Sequence, residues 1–546
     1  MSFKVSFRKS FFRLLVVITV GVCFAPSVAL AVNLTSSTTI SADETNQQRI
    51  TADNVTLTIN NNATLRTVGE ESTVKSTNNR SGITIIIESG SSITASGSGD
   101  DKAIRANENT NLTVTNSGTI SADDIDVIKI TSSTNPTITN NAGGIITGAT
   151  DAIEAGSTTN ATITNSGTIY NTSSQNAIRM TSATGATVTN NVGGEIYTSG
   201  GVGSVIYLGS SSTLTNSGTI RNGTSTSNPS IRLEGNNNTV ILKNQGKVIG
   251  LITADAGTTG NKLQFDHGFG RTYFYETSGD FTLKDLSGNT VVKGSAGSVS
   301  LGRQETVDEL LGLRAFNLRS ALKRYASAPK PSDDNMVWGE TFGYSSKRGG
   351  TDTLLEYDTY GYGMNFIHPV TSKLDLILSV ERNELDFPED YEVSRTGFLA
   401  GVNVSKFSGF GKGNWKLGGF AVAGMGWYDS TREILTNTTT SGLLDVTADY
   451  KSMEIITGFN FNHSYQSPSK GWMKNKWDTE MGLTFQGSHT GDYNERHYFF
   501  FEERTLVQES IHLGEQLTST FNDRLAITLG LEYEFRLALA GKKQTY

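Results

Sequence analysis

Six residues, Thr-Asn-Ser-Gly-Thr-Ile, occur three times in this chain, at Thr115–Ile120, Thr164–Ile169 and Thr215–Ile220. Two diverged copies lie between them, TNNAGGII at Thr139–Ile146 and TNNVGGEI at Thr189–Ile196. The first asparagines, Asn116, Asn140, Asn165, Asn190 and Asn216, are 24, 25, 25 and 26 residues apart. A second series keeps the same phase: AIRA from Ala103, VIKI from Val127, AIEA from Ala152, AIRM from Ala177, VIYL from Val205 and IRLE from Ile231. A unit of about 25 residues cannot bury its own apolar face, so it must stack on its neighbours.

Each unit holds short β-branched alternations, such as Leu112-Thr113-Val114 and Ala161-Thr162-Ile163, closed by Asn/Gly turns. Asn and Gly tolerate positive φ, so those turns are where a coil would change direction. The pattern predicts a right-handed parallel β-helix over 32–249, with Ile128, Ile153 and Ile178 stacked on successive rungs and asparagines in hydrogen-bonded ladders. Nine or so rungs at roughly 4.8 Å give a rod of roughly 45 Å. An array of small sandwiches is the alternative, and the unit is short for one. The pattern breaks after Val248. Phe265, Phe269, Tyr273, Phe274, Tyr275 and Phe281 then crowd one stretch. This predicts a C-terminal cap over 250–303; carbohydrate stacking on the rings is the other reading.

The first residues read as an export signal. Lys4, Arg8, Lys9 and Arg13 precede an apolar run, Leu14–Phe24, that is too short to span a bilayer. Ala29 and Ala31 supply the small residues of a cleavage site, placing the cut between Ala31 and Val32 over a signal peptide of 1–31. The single cysteine, Cys23, lies inside that segment. No later stretch has eighteen consecutive apolar residues, so an integral membrane region must be a β-barrel. A net charge of −8 with only 18% charged residues, and no basic cluster, argues against nucleic acid as a partner.

Thr306–Tyr325 changes period. Leu311, Ala315, Leu318 and Leu322 recur at helical spacing, Thr306 with Glu309 fits a capping box, and Arg314, Asn317, Arg319, Lys323 and Arg324 make the helix polar and basic. The helix is assigned to 304–325 and a linker to 326–335. From 336 to 546 the chain alternates with period two, as in Leu374, Leu376, Leu378 and Val380, or Ile527 to Leu537. Aromatics near the strand ends (Trp338, Trp415, Trp427, Tyr428, Trp472, Trp477) fit the girdles of an antiparallel transmembrane β-barrel. The fold class expected is therefore all-β, a β-helix and a barrel joined by one α-helix.

VWGETFGY (Val337–Tyr344) after the helix, and GMGWYDSTR (Gly424–Arg432), resemble the translocator of the autotransporter family of type V secretion, and the whole layout is similar to that family. The resemblance implies a barrel in the outer membrane of a Gram-negative cell and a passenger that crosses unfolded and folds outside. It places the helix in the pore, with Arg314, Arg319, Lys323 and Arg324 solvated by carboxylates or water. Implied partners are outer-membrane lipid, periplasmic chaperones, barrel-assembly machinery and an unidentified host or bacterial surface ligand. The chain departs from the family in two ways. Nine strands are counted, starting near 336, 354, 371, 392, 413, 447, 472, 504 and 524, where the family has twelve. The final ALAGKKQTY (Ala538–Tyr546) breaks the terminal alternation. These departures predict that the last strands are lost by truncation or frameshift and that insertion suffers.

No catalytic constellation emerges, and no cofactor is expected. SGD at Ser98–Asp100 and Ser278–Asp280 has the wrong order for a serine nucleophile, and GSSITAS (Gly90–Ser96) has no strand-turn-helix setting. His267 reads as a cap residue. Asp123, Asp124 and Asp126 could touch Ca²⁺, but a solvated rung corner fits them better, and nothing has zinc spacing. Phe499–Phe501 with Glu502, Glu503 and Arg504 is either a strand end at the rim or a lipid-facing cluster. The expected function is a self-secreting surface protein whose rod mediates adhesion or aggregation. A displayed hydrolase and a plain pore are the alternatives.

Overall fold

The computed structural model describes residues 31–541 apart from 70, 98–101, 124, 174, 201–202, 224, 293–294, 300–301, 328–335, 352–353, 389, 408–414, 468–472, 496–497 and 522–524. It contains a parallel β-solenoid, an antiparallel curled sheet and one helix between them.

The solenoid has three parallel sheets. The first two hold eleven strands each and the third holds eight. Pairing follows the 25-residue phase through the middle coils, from Thr113 to Thr213 in the second sheet, and departs from it at the ends, where Val32 pairs with Gln48 and Lys262 with Thr282. In the first sheet the isoleucine column runs Ile104, Ile128, Ile153, Ile178, Ile206, Ile231. In the second, Val114, Ile138, Ile163, Val188 and Leu214 stack. All of them are fully buried in one continuous core. The third sheet ends at Lys247–Ile249, where the sequence pattern breaks, but the first two continue to Thr277–Ser278 and Thr282–Asp285. The segment read as a cap therefore contains further coil.

The asparagine of the TNSGTI motif does not turn the corner. Asn116, Asn140, Asn165, Asn190 and Asn216 point inward, fully buried, each Nδ2 donating to the next Oδ1 at 2.8–2.9 Å. Left-handed corners include Asn111, Asn135 and Asn160, which precede the strand, and Gly143 and Gly193 of the diverged copies, which follow it. The glycine of the motif is required by close approach rather than by φ. A Cβ on Gly167 would lie 2.2 Å from the Gly144 carbonyl oxygen of the neighbouring coil.

The second region is an antiparallel meander of nine long strands, in agreement with the count from alternation: β1 Trp338–Arg348, β2 Tyr357–Pro369, β3 Leu374–Phe387, β4 Tyr391–Phe407, β5 Trp415–Thr436, β6 Leu443–Gln466, β7 Met473–Thr490, β8 Arg504–Phe521 and β9 Leu525–Gly541. Each pairs with the next, and β1 and β9 do not pair with one another among the described residues. The helix α1 spans Gly302–Ser327. Thr306 therefore lies a full turn inside it, and the capping-box reading is corrected.

The sheet is inside-out relative to a soluble one. Tyr362, Met364, Leu376, Leu378, Met453, Ile455, Met481, Leu529 and Phe535 are exposed on the outer surface. Glu381, Asn383, Arg395, Glu454, Glu480 and His512 are buried on the concave side. The aromatics assigned to girdles do not share one face. Trp427 and Trp477 face outward, whereas Trp338 packs on Tyr325 of α1 and Tyr428 is buried inside. The Trp415 side chain and Trp472 lie outside the described residues.

Candidate functional site

The concave side of the sheet holds α1. Its apolar face, Ala315, Leu318, Leu322 and Tyr325, packs against Ile367, Ile377, Leu399, Phe420, Val422 and Ile456, which come from β2 to β6. Its basic residues meet carboxylates from other strands. Arg314 donates to Glu454 at 2.6 Å and lies 3.3 Å from Glu381. Arg395 of β4 pairs with the same Glu454, so two guanidinium groups share two carboxylates in a buried cluster. Arg319 bridges Glu532 (2.9 Å) and Glu534 (3.2 Å) of β9. Lys323 reaches Glu480 of β7 at 2.9 Å, and Arg324 pairs with Glu340 of β1. The helix therefore holds both ends of the strand order.

Two glycines lie directly against the guanidinium groups. A Cβ on Gly397 would come within 2.4 Å of Arg314 Nη1, and one on Gly312 within 2.3 Å of Arg536 Nη1. Of the five helix residues singled out in the sequence, four make ion pairs. Asn317 does not join the network, and its buried Nδ2 has no hydrogen-bond partner. Sequence reading missed the acceptors. Their signal was parity: Glu381 and Glu454 fall on the polar side of alternating strands, opposite Val380 and Ile455.

A second contact region joins sheet and solenoid. The β5–β6 hairpin rises beyond the sheet and lies along the end of the coil. Tyr273–Tyr275 pairs in parallel with Leu435 and Thr436. The Asn437 side chain accepts from the Glu276 amide (2.8 Å) and donates to the carbonyls of Gly250 (3.0 Å) and Glu276 (2.9 Å). Arg432 donates to Thr272 Oγ1 at 2.7 Å and pairs with Glu495. Leu435 is buried in the solenoid core. The coil's end is thus covered partly by residues far beyond 303.

The other candidates resolve as follows. Phe499–Phe501 pairs with Tyr493–Glu495 as a short hairpin at the rim, and Phe501, Tyr493, Tyr450 and Tyr428 form one continuous ring stack at 4.3–4.6 Å. His267 is buried, with Nε2 3.1 Å from the Tyr275 hydroxyl. Burial, and then Arg271, lower its pKa to about 3. Phe265 and Tyr273 stack beside it at 4.2 Å, and Tyr273 donates to Asp285. Asp126 is not a solvated corner. It lies beside Asp151 and Glu154 with carboxylate oxygens within 4.8 Å of one another, crossed by Lys129 and Arg179. Burial raises the Asp151 and Glu154 pKa values. With two cations already satisfying three acids, this is an ion-pair network. Asp123 is exposed and Asp124 lies outside the described residues. The signal segment with Cys23 and Ala29 also lies outside them. Ala31 is the first described residue, and Val32 opens the first strand, opposite Gln48.

No protein family, no curated protein and no solved structure matches this chain.

Proposed function

We propose that this chain is an autotransporter-like outer-membrane protein, with the sheet anchored in lipid around α1 and the solenoid displayed on the cell surface as a contact module for adhesion or aggregation. The observation that carries the reading is the polarity of the sheet: an apolar outer surface surrounding a charged helix. In water that arrangement exposes rows of Leu, Met and Phe, whereas in a bilayer it turns them to lipid and solvates the charges internally. The helix then links the lumen to the rod, and residues 1–31 act as the export signal. The docked β5–β6 hairpin and the Phe499–Phe501 hairpin share the solenoid's end of the sheet.

The test is surface proteolysis of Gram-negative cells expressing the full chain. Intact cells treated with protease should lose epitopes within 32–285 and keep a membrane-embedded fragment covering 336–541. Mass spectrometry of the untreated protein should find Val32 at the N-terminus. A protected solenoid in intact cells, or a sheet region recovered in the soluble fraction, would refute the proposal. Adhesion is tested separately by comparing aggregation of cells with and without the displayed rod.

A further inference from the structure

The second sheet of the solenoid presents an unusual outer face. One outward row reads Thr56, Thr84, Thr113, Thr137, Thr162, Thr187, Thr213, Thr239 on eight successive coils. The row beside it reads Thr58, Ile86, Thr115, Thr139, Thr164, Thr189, Thr215, Ile241. These pairings contain no register shift, whereas the first sheet is interrupted between Met180 and Thr184 and between Pro229 and Ile231. The two rows carry no charge and no aromatic ring.

β-propensity alone does not account for this face. Equivalent outward positions on the first sheet are Arg49, Lys75, Arg105, Lys129, Glu154, Arg179, Tyr207 and Arg232, and the third sheet places Tyr170, Tyr197 and Arg221 outward. Over these eight coils charges and rings are excluded from this face alone; the next strand of the same sheet places Lys262 in the first row and ends the grid. The backing is also distinctive: the buried asparagine ladder runs directly beneath the strand ends Asn116 to Asn216 and fixes the spacing of five coils.

The grid has two periods, ~4.8 Å between coils and ~6.7 Å between alternate residues of a strand. Threonine is stiff at χ1, so each position offers a hydroxyl and a methyl at a repeatable place. The absence of rings disfavours sugar stacking, and the absence of cations disfavours phosphate or other polyanions. Both periods are close to the oxygen repeats on the prism face of hexagonal ice. Many weak hydroxyl contacts on a rigid lattice add up because none needs to be ordered on binding.

We propose that this threonine face is an ice-binding surface, recognising the crystal lattice of water through rows of hydroxyls and methyls held in register. The inference concerns the solenoid alone and stands independently of whether the sheet spans a membrane. The test uses the full chain as it purifies, in nanodiscs or in buffer, fluorescently labelled, with a single-crystal ice hemisphere grown from the solution. Wild-type protein should be incorporated in patches on prism faces. The double variant Thr139→Lys with Thr164→Lys should be excluded to the level of a non-binding control protein, while Thr147→Lys on the third sheet should incorporate as wild type does. Far-UV circular dichroism of each variant establishes that the solenoid is intact. Exclusion of the wild type from ice overturns the proposal, as does equal incorporation of the double variant. Sedimentation showing that the face instead joins two copies, through a dimer lost in the double variant without ice incorporation, also overturns it.

Discussion

Replacing Asn165 by leucine cuts the buried asparagine column at its centre, and the cost can be worked from the contacts. Asn165 Nδ2 donates to Asn190 Oδ1 (2.9 Å) and to the carbonyls of Gly167 (3.1 Å) and Glu195 (3.2 Å), and its Oδ1 accepts from Asn140 (2.8 Å). In the variant, Asn140 Nδ2 keeps the Gly144 and Thr168 carbonyls, and the Gly167 carbonyl keeps the Glu195 amide. Asn190 Oδ1 is orphaned in a fully buried site, at ~1–3 kcal/mol. Shape is not the obstacle, because the same column contains Ile59, Ile87 and Leu242. With the lost carbonyl contacts the total is about 3 kcal/mol, or roughly a hundredfold in a local opening equilibrium. Asn216→Leu, at the end of the ladder, orphans no side-chain oxygen and should cost about 1 kcal/mol. Hydrogen exchange read by mass spectrometry on the full chain measures both, over the coils between Thr137 and Asn190 for the first and around Asn216 for the second. Equal loss of protection in the two variants, or none for Asn165→Leu, would refute the account of the ladder as a set of mutually dependent hydrogen bonds.

Glu454→Gln leaves Arg314 and Arg395 sharing Glu381 alone, and should destabilise the helix–sheet unit by about 3 kcal/mol; early proteolytic release of α1 is the readout, and unchanged resistance contradicts it. His267 is held neutral down to about pH 3, so its contribution is complete above pH 6.5 and is lost as pH falls from there towards about 3. His267→Phe should flatten that part of the pH–stability curve, measured by thermal melting between pH 7 and 4. Asn437→Ala removes the acceptor of the Glu276 amide and should cost ~1–3 kcal/mol locally. Exchange should rise in Leu251–Tyr275 with little change in β1 to β4, and a uniform rise would show the effect to be global.

The repeat and the alternation made most of the architecture legible. Their periods of 25 and 2 are backbone requirements, so the coil phase, the isoleucine columns and the nine strands could be read without coordinates. The apolar side of α1 was legible for the same reason, because a 3.6-residue period is a local property. What the motif asparagine does was not legible. Asn serves equally well at a left-handed corner and in a buried ladder, and only stacking decides which side chain finds a partner 25 residues away. Trp338, by contrast, was legible by parity, since it shares a strand face with Glu340, and its ring packs inside against Tyr325. The acceptors of Arg314 and Arg319 sit 140 and 213 residues from them, and the β5–β6 hairpin covers the coil's end from more than 150 residues away. Sequence determined the elements and the chemistry each face offers. Tertiary structure decided which charges neutralise one another, because an ion pair depends on a distance that no local pattern encodes.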